Sequence, residues 1–362
     1  MNHYLIIFAI TLLASVALVL TQRWHGRFSL DNAFGVQNHH TEPTPRIGGV
    51  AIVTGLLVAW LLAEPEVSDI LGPMLLAGIP AFLFGLAEDI TKKVSVTARL
   101  LATMCSGALA CVFTGVAMQN TGVPPFDWLL SFMPLAVVFT AFAVGGVANA
   151  TNIIDGFNGL ASGAVAIMLG AIGVMAFNVG DAPLASACFV LAVSALGFGA
   201  VNWPFGKIFL GDGGAYLLGF LLAWVAVLLP MRNPQINAWA TILVCAYPVL
   251  EVAFSVRRRR KREGHHPGQA DKVHLHHLIH RRIVRQALPR LSPTLQNGMT
   301  SPVSWLCAAL PAAWAVLFAQ STPMLVLGFG CFVFIYSAFY ARLSQFYWCL
   351  GAAAPKYRVL TP

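Results

Sequence analysis

Tyr4-Leu-Ile-Ile-Phe-Ala-Ile-Thr-Leu-Leu-Ala-Ser-Val-Ala-Leu-Val-Leu20 carries no charged residue. It approaches the roughly 20 apolar residues that a helix needs to cross the hydrocarbon of a bilayer. No basic segment precedes it and no small-residue cleavage site follows, so it reads as a retained helix, not a removed signal peptide. Comparable apolar stretches begin near Ile47, Ile70, Ala98, Trp128, Leu160, Leu184, Gly213, Ala238, Pro302 and Pro323. With the first, they make about eleven candidate spans. Gly and Pro inside them are tolerable because neighbouring helices can satisfy the freed backbone groups.

Composition agrees. The 362 residues are 58% hydrophobic and 10% charged, with a mean hydropathy of +0.74, whereas soluble domains are about 25% charged. The fold class expected is therefore all-α, a polytopic transmembrane bundle forming one integral-membrane domain over residues 1–362. The seven cysteines are scattered in or beside apolar stretches without a C-x-x-C pair, so neither a disulfide framework nor a zinc site is expected.

The charges orient the bundle. All 22 Lys and Arg except Arg232 fall in loops 22–46, 88–97, 149–158, 202–212 and 257–301, in the C-terminal tail, or at the adjoining span edges. The opposite loops carry Glu64, Glu66, Asp69, Asp127 and Asp181. By the positive-inside rule the basic face is cytoplasmic, with the N-terminus outside and the C-terminus inside. That face also collects Asp31, His39, His40, Arg46, Glu88, Asp89, Asn149, Asn152, Asp155, Asn158, Asp212, His274, His276 and His277. The chemistry is expected there.

Four stretches could carry it. Glu88-Asp89 closes the third span, with Lys92, Lys93 and Arg99 following; the pair could bind a divalent cation or act as a base, or merely end a helix. In Asn149-Ala-Thr-Asn-Ile-Ile-Asp-Gly-Phe-Asn-Gly159, residues 149, 152 and 155 recur every third position, which puts them on one face if the helix continues. Amides there suit a nucleobase or sugar; the plain alternative is a turn. Asp212, within Phe209-Leu-Gly-Asp-Gly-Gly214, could supply one of the one or two carboxylates Mg²⁺ takes beside substrate phosphates, or simply cap a helix. His274, His276, His277 and His280 precede Arg281 and Arg282 within the long basic loop 257–301. Imidazoles and guanidiniums suit diphosphate oxygens; zinc and a basic interfacial segment are the alternatives. The run Arg257–Arg262 reads as a stop-transfer anchor on the anionic leaflet, and Glu251 as a carboxylate snorkelling towards it.

In this order the motifs resemble the polyprenyl-phosphate N-acetylhexosamine-1-phosphate transferase family. Its members include enzymes that initiate O-antigen, enterobacterial common antigen and teichoic-acid linkage synthesis, and the phospho-MurNAc-pentapeptide translocase. The likeness runs from His40-Thr-Glu-Pro-Thr-Pro-Arg-Ile-Gly-Gly49 to His274-Leu-His-His277. Glu88-Asp89 stands at the family's Asp-Asp pair, 149–159 at its N-x-x-N-x-x-D-G-x-[DN]-G motif, Asp212 at its Mg²⁺-ligand aspartate, and the histidines at its H-x-H-H loop. Glu88 replaces an Asp, Ala33 a proline, Val36 and Gln37 basic residues, and Asn158 an Asp common in the family. The span number and the H-x-H-H form fit the sugar-phosphate branch better than the pentapeptide branch.

The resemblance implies transfer of a sugar-1-phosphate from a UDP-sugar to polyprenyl (undecaprenyl) phosphate, releasing UMP and starting O-antigen or related envelope polysaccharide synthesis. It implies Mg²⁺, with Mn²⁺ as substitute. Asp212 is expected as metal ligand, Asp89, Asp155 and Glu88 as catalytic acids, and Asp89 as acceptor of any residual proton. Asn149, Asn152, Asn158, His274, His276, His277, Arg46, Arg99 and Lys92 are expected to hold substrate. The expected partners are the UDP-sugar, the polyprenyl phosphate and the bilayer, with no nucleic acid; a homodimer is left open, and the location is the inner (plasma) membrane. GlcNAc, GalNAc, FucNAc, QuiNAc and bacillosamine derivatives all remain candidate sugars. The rival class is a transporter, but transporters place ionisable groups near the midplane and often show two related halves. Here the acids gather at one face and no internal repeat is visible.

Overall fold

The computed structural model describes residues 2–31, 43–261 and 273–344. The readings on Ala33, Val36, Gln37, His39, His40 and Arg262 lie outside these residues. Helix α1 (Asn2–Leu20) is followed after Thr21 by the short α2 (Gln22–Ser29). Two-residue strands β1 (Leu30–Asp31) and β2 (Thr44–Pro45) then pair antiparallel, Leu30 opposite Pro45. The remainder is helical: α3 (Gly48–Leu62), α4 (Pro65–Ala77), α5 (Ile79–Thr91), α6 (Val96–Thr114), α7 (Pro124–Leu130) and α8 (Met133–Ile154). Next come α9 (Leu160–Asn178), α10 (Ala182–Asn202), α11 (Gly211–Arg232), α12 (Ala238–Val244) and α13 (Ala246–Lys261). Helix α14 (Leu275–Ile279), a π-helical turn His280–Val284 and α15 (Arg285–Ala287) precede α16 (Pro293–Leu317) and α17 (Thr322–Ser344).

The protein is an all-α polytopic membrane protein, and each expected span has a helical counterpart. Among the described residues, eight helices are long and apolar enough to cross a membrane alone: α1, α6, α8, α9, α10, α11, α16 and α17. Two more candidates are bent pairs, α4–α5 at 46° and α12–α13 at 69°. The remaining one, α3, has 15 residues, short of the roughly 17 that span unaided.

Local chemistry sets several starts. Ser95, Asp181, Asn237 and Ser292 each cap a helix by accepting a backbone N–H through the side chain, donors the helix itself leaves unpaired. The last corrects the boundary placed near Pro302: α16 begins nine residues earlier, at Pro293, and runs through Pro302 and Pro311. A proline at the first turn costs nothing because its missing N–H is unneeded there. The span placed near Trp128 is likewise divided, since α7 ends at Leu130 and α8 starts at Met133.

Helix α11 is the core, with every residue from Gly211 to Pro230 buried against α3, α5, α8 and α9. Membrane helices associate closely where small residues let backbones meet. Here a Cβ on Gly85 of α5 would stand 2.5 Å from the Gly213 amide nitrogen, and one on Gly49 of α3 would stand 2.5 Å from that of Gly214. Two crossings therefore converge on the first turn of α11, where Asp212 sits. At the periphery α1 and α17 expose Leu5, Leu13, Phe334 and Ile335, a surface suited to lipid.

Candidate active site

Asp89 organises that first turn. It lies one turn beyond Gly85 on α5 and is 2% exposed. One carboxylate oxygen accepts the Asp212 N–H and the other the Gly213 N–H, both at 2.9 Å. These are unpaired amides of a helix N-terminus, where negative charge is favoured. Asp212, 3% exposed, is held by two cations. Arg46 Nη2 donates to its Oδ1 at 2.8 Å, while Arg46 Nε lies 3.1 Å from Asp89 Oδ1. Arg99 of α6 donates to its Oδ2. Arg46 follows β2 directly, and its own N–H bonds Ser29 O at 2.8 Å, so the strand pair delivers it to the acids.

Glu88 faces differently from Asp89, as adjacent helix positions must. Its Oε2 accepts the Val94 N–H at 2.8 Å, closing the turn in which Lys92 takes a left-handed conformation, φ 56°. Lys92 is exposed.

The 149–159 stretch does not continue as helix to its end. Helix α8 stops at Ile154, with Asp155 as its C-terminal cap, and Gly159 turns the chain with φ +77°. Asn149 Nδ2 donates to Thr103 Oγ1 at 2.9 Å and Gly145 O at 2.8 Å, joining α8 to α6. Asn158 is 3% exposed; its Nδ2 donates to Pro204 O at 3.0 Å and its N–H to Asn297 Oδ1 at 2.8 Å. Both amides thus hold framework. Asn152 reaches the Tyr216 hydroxyl on α11. Asp155 is half-buried. Withdrawal from water pushes its carboxyl up to about 7, with Arg46 opposing and Asp212 and Asp89 adding to the rise.

The histidine segment folds onto this turn. Phe157 lies among His276, His277 and His280, with ring centroids 5.7, 5.5 and 5.0 Å away. His276 is fully buried, and burial, with His277 and His274 beside it, holds its pKa well below the usual imidazole value. Its Nε2 has no hydrogen-bond partner among the described residues and lies 3.0 Å from where a Gly156 Cβ would stand, which explains glycine at 156. Glu251 corrects its own reading. It is 1% exposed and accepts the Leu275 N–H at 3.0 Å, with His274 Nδ1 3.1 Å away, so it serves the histidines rather than the Arg257 cluster. Its signal in the sequence was the cost of a carboxylate inside a span, which demands buried partners.

Asp89, Asp155, Asp212, Arg46 and Arg99 therefore share one electrostatic neighbourhood at one end of the bundle. No group of three or more His, Cys, Asp or Glu side chains stands at metal-holding geometry among the described residues. A zinc-type cage is absent there. Mg²⁺ asks less, one or two carboxylates with substrate oxygens completing the shell. Asp212 keeps a second lone pair on each oxygen, and Asp155 is a half-buried carboxyl whose charge Arg46 offsets only in part. The donor set fits.

Comparison with known proteins finds a family and several relatives. Glycosyl transferase family 4 matches residues 71–230, a stretch holding Glu88, Asp89, Arg99, the 149–159 turn and Asp212 but neither Arg46 nor the histidines. The chain is 27% identical over 252 residues, 68% of each protein, to the undecaprenyl-phosphate alpha-N-acetylglucosaminyl 1-phosphate transferase of Yersinia pestis. The Escherichia coli K12 protein of that name is 26% identical over 250 residues, 68% of this chain and 67% of that one. The Salmonella typhi protein is 24% identical over 278 residues, 75% of each.

Proposed function

We propose that the chain is a member of glycosyl transferase family 4, whose model matches residues 71–230, and that it transfers N-acetylhexosamine-1-phosphate from a UDP-sugar to undecaprenyl phosphate. N-acetylglucosamine is the first sugar to test, since the relatives are named for it. The observation that carries this reading is the convergence of Asp89, Asp212, Arg46 and Arg99 on the first turn of α11, beside Asp155.

Phosphoryl transfer asks a protein to position reactants and neutralise charge. Asp212 and Asp155 would hold Mg²⁺, which when bound offsets charge on the diphosphate and the departing UMP. Arg46 and Arg99, already at the acids, supply guanidinium donors to phosphate oxygens, and His277 faces the same turn. An oxygen of the lipid phosphate bonds to the β-phosphorus as the bond to the bridging oxygen breaks, and UMP leaves with the electron pair. A phosphate monoester has its second pKa near 6, so the nucleophile is largely ionised and proton removal is a small contribution. Asp89, with both oxygens on α11 amides, chiefly sets Asp212 in place. Asn149 and Asn158 act by holding the walls, and Asn152 with Tyr216 lines the nucleotide side.

The acceptor's prenyl chain needs an apolar site within the bundle. An apolar cavity of ≈ 450 Å³ between α8, α11, α12 and α13 is lined by Phe142, Val147, Ala150, Val227, Val249 and Ala253. The distribution of Lys and Arg supports a cytoplasmic site, an external N-terminus and residence in the plasma membrane. The product would be the first lipid-linked sugar of an envelope polysaccharide. UMP release from a panel of UDP-sugars, dependent on both undecaprenyl phosphate and Mg²⁺, tests the proposal; solute uptake in liposomes without UMP release would refute it.

A further inference from the structure

We propose that Glu251 is the positioning residue of the histidine segment, fixing His274 and the Leu275 amide so that His277, with the buried His276 behind it, presents one defined face to the sugar-nucleotide diphosphate. The proposal rests on the function above and extends it to a residue outside the stretch matched by the family.

Glu251 lies in α13, five residues beyond its start, with its carboxylate 1% exposed. Taking a carboxylate out of water is costly unless donors replace the water, and the histidine segment supplies such donors. The Leu275 N–H approaches Oε1 at 3.0 Å and Oε2 at 3.3 Å, while His274 Nδ1 stands 3.1 Å from Oε2. An ionised carboxylate only accepts hydrogen bonds, so the proton of His274 is placed on Nδ1 and the ring orientation is set. Metal-bound imidazoles are oriented by carboxylates in the same manner; here the oriented ring is the buried His274, against which the rest of the segment packs.

The constraint passes along the segment. His274 stacks on His276 with centroids 5.3 Å apart and planes 9° apart, and His276 lies 4.5 Å from His277. Packing against His274 and His277 thus places the His276 ring with its Nε2 towards Gly156. Tyr340 of α17 donates to Val273 O at 2.9 Å and fixes the residue just before the segment. Glu251 supplies the second point of attachment.

Glu251→Gln keeps the shape but offers one acceptor and one donor where the segment needs two acceptors. The Leu275 N–H can retain its partner while the Gln amide meets His274 Nδ1 donor to donor, forcing the other tautomer or a turned ring. Full-length protein in lipid nanodiscs would be assayed for UMP release with UDP-GlcNAc and undecaprenyl phosphate, each varied. The expected result is a KM for UDP-GlcNAc raised roughly tenfold or more, an unchanged KM for the lipid, and an unchanged melting temperature. A merely structural role would move both KM values or the melting temperature instead. In a double-mutant cycle, Glu251→Gln added to His274→Ala should cost nothing further, because the route through His274 is already cut. Additive losses, or unchanged kinetics in Glu251→Gln, overturn the proposal while the function stands. Wild-type protein that releases no UMP overturns both. Should the Gln variant fail to fold, Glu251→Asp enters the same cycle under the same additivity criterion.

Discussion

Gly85→Ala tests whether the α5–α11 crossing aligns the acids. The added methyl would stand 2.5 Å from the Gly213 nitrogen and 2.6 Å from the Asp212 carbonyl carbon, where ordinary contact begins at 3.4 Å. The opposing atoms are backbone, so no side chain can swing aside, and the helices must part by about an ångström. Asp89 is one turn along α5 on the same face. Its two 2.9 Å bonds to the α11 amides would stretch beyond hydrogen-bonding range. Overpacking costs about 1–3 kcal/mol, and each lost bond to a charged group adds about 1.5–3 kcal/mol unless relaxation recovers it. A misplacement of this size costs about a hundredfold in rate. The assay is kcat/KM for UMP release beside a thermal melt, with Gly170→Ala as control because nothing lies within 4 Å of its added methyl. Gly85→Ala protein with wild-type melting and a rate within about threefold of wild type, under 1 kcal/mol of barrier, would refute the reasoning.

Asp212→Asn is expected to abolish transfer with no loss of folded protein, and near-normal transfer of radiolabelled sugar phosphate would contradict its assignment. Asp155 titrates at about 7 without metal, so a cation must displace its proton as pH falls. Mg²⁺ affinity by calorimetry should therefore weaken below pH 7, and pH-independent affinity between 6 and 8 would remove Asp155 from the metal site. The same raised pKa means the apo protein is stabilised by the neutral form, a contribution lost as pH rises through about 7; the pH slope of its melting temperature should flatten in Asp155→Asn. On the opposite face, Arg232 makes two bonds to Asp181 at 2.8 and 2.9 Å and is 39% exposed. Solvent screening limits Arg232→Ala to about 1 kcal/mol of stability, with kcat unchanged.

The helical spans and the gathering of acids at one end were legible because both are local signals: apolar run length and charge placement along the chain. Partnership was not legible. Asp89 and Asp212 are 123 residues apart, and nothing near either in sequence says that one carboxylate receives the other's amide. Asn149 and Asn158 read as ligand-facing because amides suit nucleobases, yet Thr103, Pro204 and Asn297 engage them, and those contacts depend on helix packing. The same-face argument for Asp155 assumed a continuing helix, whereas α8 ends at Ile154 and the Gly156 and Gly159 turn redirects the chain. Glu251 carried a clue in the cost of its burial, but the partner came from α14 across a long loop.

The central claim is tested most directly by incubating the purified protein with UDP-GlcNAc, undecaprenyl phosphate and Mg²⁺ and measuring UMP. The account predicts UMP and undecaprenyl diphosphate-linked sugar in equal amounts, with neither formed when the lipid or Mg²⁺ is withheld. Release of UDP in place of UMP, or no product from any UDP-sugar by folded wild-type protein, would contradict it.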